Sequence, residues 1–393
     1  MKSIRTDPGV RPVEVRLSSG LTDFMRQTAR PGLINMAAGI PSDDALPVDG
    51  LREAAGAAMR DRALSALGYH APEGDIELRE LIAARLRGRG VGVGAEGVVI
   101  TTGCSQGLAI MISLLVKPGE VVCCERPAYY ALLELISRAG GLALQIPSGL
   151  DTGMNPDAVE ECLSRWRPRC LFVCSSLSNP SGATVPPEAR ARIVESCRRH
   201  GVRIVEDEIY TDLRDDGGGE PMLARDDGST VSLVSSFSKT VAPGLRIGYA
   251  VPGSVLEPFV RRKCIEDIHS AAIAEATVAE FLRRGMLDPH LGRLRTFYGA
   301  RRRLAREAVL RAFPEGTEVS APVGGFVIWV RLPEGLDLDA VHAGAMASGV
   351  SFCHGGVFFA GAPDRPCMRL NCAKASEEEL VRGIGILGGL LKG

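Results

Sequence analysis

The sequence predicts an α/β fold: a large domain with a mainly parallel sheet flanked by helices, followed by a smaller C-terminal α+β domain. Two observations carry this expectation. Through the middle of the chain, short β-branched runs alternate with segments of helical period, the signature of strand–helix–strand crossovers. Beyond about residue 288 the alternation stops, and a long Arg-rich helical segment leads into a few separated strands. The composition agrees. With 393 residues, 45% hydrophobic and 24% charged, the chain is too apolar and too balanced in charge to be disordered.

Taken in order, residues 1–45 read as an N-terminal arm with one helix over 21–29. Residues 46–287 form the large domain and 288–393 the small one. In the large domain a helix is expected over 78–87 and a strand over 98–101. The apolar run 105–116 is then a helix, 120–124 a strand and 128–139 a helix. Strand 170–175 leads to helix 187–200, and strands 202–206 and 231–235 follow. The Gly-rich tract Asp215-Asp-Gly-Gly-Gly-Glu220 marks a surface loop. In the small domain a helix spans 291–313, strands 325–332 and 367–371, and a helix 338–348.

A formal net charge of −1 argues against a nucleic-acid binder. The N-terminal residues lack the apolar core of a signal peptide, and the longest apolar stretch, 107–116, is too short to span a bilayer. The eleven cysteines are scattered, odd in number and without a C-x-x-C pair, which points to a reducing cytoplasmic setting and no disulfide framework. No His, Cys and carboxylate spacing suggests a metal, so none is expected. Two motifs mislead. Gly92-Val-Gly-Ala-Glu-Gly97 matches a dinucleotide fingerprint but follows a helix and precedes a strand, the reverse of what that site needs. Ser236-Phe-Ser-Lys239 matches the S-x-x-K of penicillin-recognising enzymes but lacks its partner motifs.

The informative residues stand just past the ends of three sheet strands. Asn179 follows strand 170–175. Asp207 closes strand 202–206, with Tyr210 three residues on. Lys239 follows strand 231–235. In open α/β sheets ligands bind in the crevice beyond the carboxyl ends of the strands. An amide, a carboxylate, a phenol and a lysine therefore converge there. Thr102-Gly-Cys-Ser-Gln-Gly107 joins another strand to a helix start, where backbone N–H groups and the helix dipole suit a phosphate. Pyridoxal phosphate wants this set: a lysine for its aldehyde, a carboxylate for its ring nitrogen, donors for its phenolic oxygen and a cradle for its phosphate.

The chain resembles the fold-type-I pyridoxal-phosphate-dependent aminotransferases, in particular the branch of 2-aminoadipate aminotransferases and the aminotransferase-like domains of MocR-type regulators. The likeness runs from Ile34-Asn-Met-Ala-Ala-Gly-Ile-Pro41 through Tyr69-His-Ala-Pro-Glu-Gly74, Asn179-Pro-Ser-Gly182, Glu206-Asp-Glu-Ile-Tyr210 and Ser236-Phe-Ser-Lys-Thr-Val-Ala-Pro-Gly-Leu-Arg246 to Met368-Arg-Leu370. The resemblance implies that Lys239 carries the cofactor as a Schiff base and shuttles the proton. It implies Asp207 on the pyridinium, and Asn179 and Tyr210 on the phenolic oxygen. Tyr129 would stack on the ring. Gly103, Cys104 and Ser105, with Ser236, Ser238 and Arg246, would hold the phosphate. Tyr69 would reach the phosphate of a second subunit, hence a homodimer with shared sites. Arg369 would fork onto the substrate α-carboxylate, with Gly39 and Asn179 beside it.

An aminotransferase acting on a free α-amino acid is the expected function. The alternative is β- or γ-elimination, replacement or cyclisation on the same scaffold, because the catalytic core serves both. The substrate pocket departs from the family pattern at Thr22, His354 and Leu370-Asn-Cys-Ala-Lys374, and His354 and His269 are candidates to face it. A cofactor-sensing DNA-binding regulator is disfavoured, since about thirty residues precede Ile34 and the charge is neutral.

Overall fold

The structure, a computed structural model, describes residues 10–15, 30 and 32–393. The helix expected over 21–29, with Thr22, lies outside the described residues. The strands are β1 (Val13–Glu14), β2 (Ile34–Met36), β3 (Val99–Thr101), β4 (Val121–Arg126), β5 (Leu142–Gly149), β6 (Gly153–Met154), β7 (Cys170–Val173), β8 (Arg203–Asp207), β9 (Val231–Ser236), β10 (Gly248–Val251), β11 (Glu318–Val319), β12 (Val327–Arg331), β13 (Val350–His354) and β14 (Cys367–Asn371). They form two sheets.

The large sheet has nine strands in the order β1-β5-β4-β7-β8-β9-β10-β3, with β6 paired to β5. Strands β5, β4, β7, β8 and β9 are mutually parallel. Because helices cover both faces of such a sheet, its central strands are apolar without alternation. All four residues of β7 and all six of β9 are buried. The pairings Val173↔Glu206 and Asp207↔Val234 hold the ends of β7, β8 and β9 level, so the loops that follow them open on one edge. The crossover helix Pro187–His200 between β7 and β8 matches its expected span. It starts with proline in its first turn and stops at Gly201, whose φ of 66° only glycine adopts without cost.

Strands β5 and β10 and the helices Val48–Asp61, Leu256–Asp267, Ala272–Arg283 and Glu377–Lys392 add to the elements expected from sequence. Small residues hide several of them. Val48–Asp61 buries only Ala54, Ala57 and Ala58, a stripe too weakly apolar to announce itself. Strand β10 begins at Gly248, a residue that ordinarily weakens a strand, and here close packing requires it. A Cβ at Gly248 would stand 2.6 Å from the Gly103 carbonyl carbon, 2.7 Å from the Ser235 carbonyl oxygen and 2.8 Å from the Cys104 nitrogen.

The second sheet has the order β11-β12-β14-β13-β2. It is antiparallel except for β2, which runs parallel to β13. Segment Ile34–Met36, grouped with the arm by sequence, is thus an edge strand of the small sheet. Residues 37–40 leave that edge and cross the mouth of the crevice. Among the described residues, no helix is long and apolar enough to cross a membrane, and all eleven cysteines are free thiols.

The contacts at Gly248 are with backbone, which cannot step aside. Gly248→Ala is expected to lower stability by about 1–3 kcal/mol in denaturant unfolding. Gly292→Ala, in an exposed part of helix Leu287–Ala312 with nothing within 4 Å, should leave stability unchanged or raise it by up to about 1 kcal/mol. Equal midpoints for Gly248→Ala and the unmodified chain would contradict the packing described.

Candidate active site

A cleft of about 210 Å³ lies beyond the carboxyl ends of β7, β8 and β9. It gathers Asn179, Asp207, Tyr210 and Lys239 from the large sheet, with Tyr129 from the loop after β4. Cys104 and Ser105 enter from the start of helix Cys104–Leu115, Arg369 from β14 and Gly39 from the crossing segment. Residues far apart in sequence therefore meet as the strand-end argument requires.

Asp207 is the last residue of β8. Its Oδ1 accepts the Ile209 N–H at 3.1 Å and the Cys104 thiol at 3.6 Å. Burial pushes this carboxyl up to about 6, against the pull of those two bonds. Burial raises the Cys104 thiol well above its ordinary value, so it stays protonated and donates. Lys239 sits in the turn after β9 and donates from Nζ to the Gly39 carbonyl at 2.6 Å. Burial, then the positive charges of Arg369 and Arg246, lower it to about 8. A substantial share of neutral amine is thus present just above neutral pH, the form that attacks a carbonyl. The same Nζ stands 5.9 Å from the centre of the Tyr210 ring.

One end of the cleft is rich in hydrogen-bond donors. Helix Cys104–Leu115 starts at Gly103, whose φ of 76° favours glycine and where a Cβ would strike the Arg246 guanidinium. Ser236 Oγ donates to the Ile247 carbonyl at 2.9 Å and shares a hydrogen bond of 2.9 Å with Ser238 Oγ. Arg246 Nη1 donates to Ser238 Oγ at 3.3 Å. Arg246 itself has a φ of 56°, a left-handed conformation that costs a non-glycine residue about 1–2 kcal/mol. Helix N-terminal amides, the Ser238 hydroxyl and a guanidinium suit a phosphate here, while Ser236 does not line the cleft and supports Ser238 from behind. Asp267 braces this loop, accepting Thr102 Oγ1 and Gln106 Nε2 at 2.9 Å each while holding the Lys263 ammonium at 2.9 Å. That brace gives no sequence signal, because its members come from separate segments.

At the other end stands Arg369, fully buried. Nη1 donates to Asn179 Oδ1 at 2.7 Å and Nη2 to the Ala37 carbonyl at 2.6 Å. Nε has no partner, and no carboxylate pairs with this guanidinium among the described residues. A Cβ at Gly39 would stand 3.3 Å from Arg369 Nη1, so glycine leaves room there. Asn371, two residues on and on the same face of β14, donates to the carbonyls of Ala38 and Ile40 and accepts the Ala373 N–H. The departure from family pattern at this position is therefore a clamp on the crossing segment.

Two candidates fall elsewhere. His354 caps a short turn, accepting the Gly356 N–H on Nδ1 at 3.0 Å, and its Nε2 lies 3.5 Å from Asp339. It does not line the cleft, and its ring is a local turn-former. His269 packs against His70 and Tyr69 outside the cleft. Tyr69 is 85% exposed and does not line the cleft of its own chain. Glu125, not singled out from sequence, is a buried carboxyl raised to about 8 by burial, with the Cys174 N–H on its Oε2.

The donor set fits pyridoxal phosphate: a depressed lysine, a carboxylate at hydrogen-bonding depth, a donor-rich phosphate cradle and an arginine that lacks an anion. Known proteins agree. A 2-aminoadipate transaminase of Thermus thermophilus is 32% identical over 381 residues, 96% of this chain and 94% of that one. The uncharacterized HTH-type transcriptional regulator YjiR of Escherichia coli is 27% identical over 384 residues, 97% of this chain and 82% of the regulator. The crystal structure of the α-aminoadipate aminotransferase LysN of Thermus thermophilus, complexed with N-(5'-phosphopyridoxyl)-L-leucine, superposes with a TM-score of 0.86 at 31% identity. It covers 96% of this chain and 95% of its own. Residues 31–387 match aminotransferase class I and II, and the chain belongs to that family of pyridoxal-phosphate-dependent enzymes.

Proposed function

We propose that the enzyme transfers the amino group of a free α-amino acid to a 2-oxo acid, and that Arg369 selects the α-carboxylate. The observation that carries the substrate class is the buried guanidinium with only neutral partners. Burying a charge without a counter-charge costs several kcal/mol, and a bidentate carboxylate relieves that cost. Bound pyridoxal phosphate supplies an aldehyde that captures the amine and a ring that withdraws electrons from the substrate Cα.

The residues of the cleft suit that chemistry. Asp207 would keep a proton on the ring nitrogen. Asn179 turns its Oδ1 to Arg369, which leaves its NH₂ free to donate, with the Tyr210 hydroxyl, to the ring oxygen. Tyr129 covers the ring. The Cys104 and Ser105 amides following Gly103, with Ser238 and Arg246, take the phosphate. Lys239 Nζ would hold the cofactor and serve as the base for the Cα proton. Gly39, bare of a side chain, leaves room beside Arg369 for the substrate. Residues 46–287 carry the cofactor, and residues 288–393 bring Arg369 onto the substrate.

The assembly is a homodimer with shared sites. Tyr69 is exposed, and so are Leu64 (92%) and Leu67 (67%) just before it in the chain, apolar surface that a monomer gains nothing by showing to water. Pairing two copies there covers the patch and hands Tyr69 to the neighbour's phosphate. Free thiols and soluble amino-acid chemistry suit the cytoplasm.

Amino-donor screening with and without an added 2-oxo acid tests the reaction. One 2-oxo acid per amino acid consumed, with turnover dependent on the acceptor, is expected; released ammonia or a cyclised amino acid would replace transfer by elimination or cyclisation. Two charge-assisted hydrogen bonds at about 1.5–3 kcal/mol each put the loss for Arg369→Ala at about 10²–10⁴ in kcat/KM, for every donor alike. A change in donor ranking at undiminished efficiency would contradict the carboxylate role.

Subunit mixing tests the shared site. Tyr69→Phe and Lys239→Ala chains, exchanged into hybrid dimers, should regain one site with both native residues. Activity that stays at the mean of the parents after exchange is verified by mass would contradict it.

A further inference from the structure

His70, His269 and Glu275 come together from two segments, His70 from the first and the other two, six residues apart, from the turn and helix at 269–275. One ligand-type atom from each lies within 4.8 Å of the other two. Glu275, in the first turn of helix Ala272–Arg283, is fully buried. Its Oε2 accepts the Asp75 N–H at 2.6 Å, and its Oε1 has no hydrogen-bond partner among the described residues. His70 Nε2 is likewise buried without a hydrogen-bond partner, 3.9 Å from that oxygen. Two unsatisfied polar atoms facing one another out of water call for a third participant, since each costs about 1–3 kcal/mol left alone.

The tautomers identify what that participant is. His70 Nδ1 lies 3.1 Å from the Ala71 carbonyl, and His269 Nδ1 lies 2.6 Å from the Ser270 carbonyl. A carbonyl only accepts, so both Nδ1 atoms carry the proton and both Nε2 atoms present a lone pair. Imidazoles that bind metals are oriented in this way, with the second nitrogen donating to a carbonyl or carboxylate. The carboxylate is oriented too, through its bond to Asp75. The ammonium of nearby Lys263 is taken by Asp267 and leaves Glu275 Oε1 free. Two further features hold the arrangement. Gly74, with a φ of 96°, packs between Ile100 and Glu275, where a Cβ would stand 2.5 Å from Ile100 Cγ1 and 2.8 Å from Glu275 Oε2. Ile268, just before His269, has a φ of 63°, an outlier for a β-branched residue and a strain that such sites retain.

We propose that His70, His269 and Glu275 bind a divalent transition-metal ion, with Zn²⁺ the best match. Two imidazoles and one carboxylate are a known three-ligand set for this ion, leaving a further position for water. Tetrahedral bonds of about 2.0–2.2 Å place neighbouring ligand atoms about 3.4 Å apart, so the ion would draw together atoms that now lie within 4.8 Å of one another. The ion ties the 69–75 segment to the 268–270 turn and fixes Tyr69, whose ring meets His269 edge-on at 5.5 Å. The site stands whether or not the transamination reading holds, because its test reads metal and not turnover.

Cofactor-loaded protein stripped with a chelator is titrated with ZnCl₂ by calorimetry, and separately with CoCl₂ by absorbance. One Zn²⁺ per chain at micromolar affinity or tighter is expected. Co²⁺ should give the intense visible d–d band of a four- or five-coordinate site, to the red of the cofactor's absorption. His70→Ala, His269→Ala and Glu275→Gln should each weaken Zn²⁺ binding a hundredfold or more, while His200→Ala binds as the parent does. Parent-like affinity in the three variants, or no saturable binding by the parent at millimolar Zn²⁺, would overturn the assignment. Should a variant fail to fold by circular dichroism, the Co²⁺ band of the parent decides alone: its absence overturns the site.

Discussion

Three ionisable groups gathered in one cleft set the terms for this molecule. Arg369 is fully buried and Lys239 and Asp207 are half-buried, so each loses hydration there, and among the described residues none is given a full counter-charge in direct contact. The protein answers with neutral dipoles. The Gly39 carbonyl takes the lysine, the Ala37 carbonyl and Asn179 take the arginine, and a backbone N–H and a thiol take the aspartate. Neutral partners compensate a buried charge only in part. The result is a site with lowered lysine basicity and raised aspartate basicity, which a charged ligand completes.

The two sheets exist in the right relation to make that cleft. Level ends of β7, β8 and β9 put Asn179, Asp207 and Lys239 on one edge. The small sheet contributes Arg369 and, one strand repeat later, Asn371 on the same face. Strand β2 closes the circuit. It belongs to the small sheet, yet the residues after it cross the large sheet's mouth, and their carbonyls serve both Lys239 and Arg369. Motion of residues 37–40 is therefore coupled to both charges, through hydrogen bonds rather than through the core.

The parts of this arrangement legible from sequence were those tied to strand ends. A parallel sheet gathers its loop residues in a crevice whatever their sequence separation, so Asn179, Asp207, Tyr210 and Lys239 could be grouped before any coordinates. Arg369 and Tyr69 came from family likeness alone. The segment 34–36 was grouped with the arm, because three residues of β2 have no period to read. The role of Asn371 was hidden because its partners are backbone carbonyls some 330 positions away. His354 misled because a histidine that forms a turn and one that faces a pocket look alike in one dimension. In the His70, His269 and Glu275 cluster only the last two are near in sequence, six residues apart, and His70 comes from some 200 positions earlier, so the cluster shows no metal-ligand pattern along the chain.

Lysine is scarce in this chain, which makes the central claim open to direct chemistry. Lys263 is the natural competitor: it is fully buried, but its ammonium is committed to Asp267 at 2.9 Å, which in turn holds Thr102 and Gln106 of the phosphate loop. Borohydride reduction of the cofactor-loaded enzyme, followed by peptide mapping, reads out which amine holds the cofactor. The phosphopyridoxyl group is predicted on the peptide containing Lys239 and on no other. Its appearance on Lys263, or on any of the remaining lysines, would contradict the assignment of the cleft.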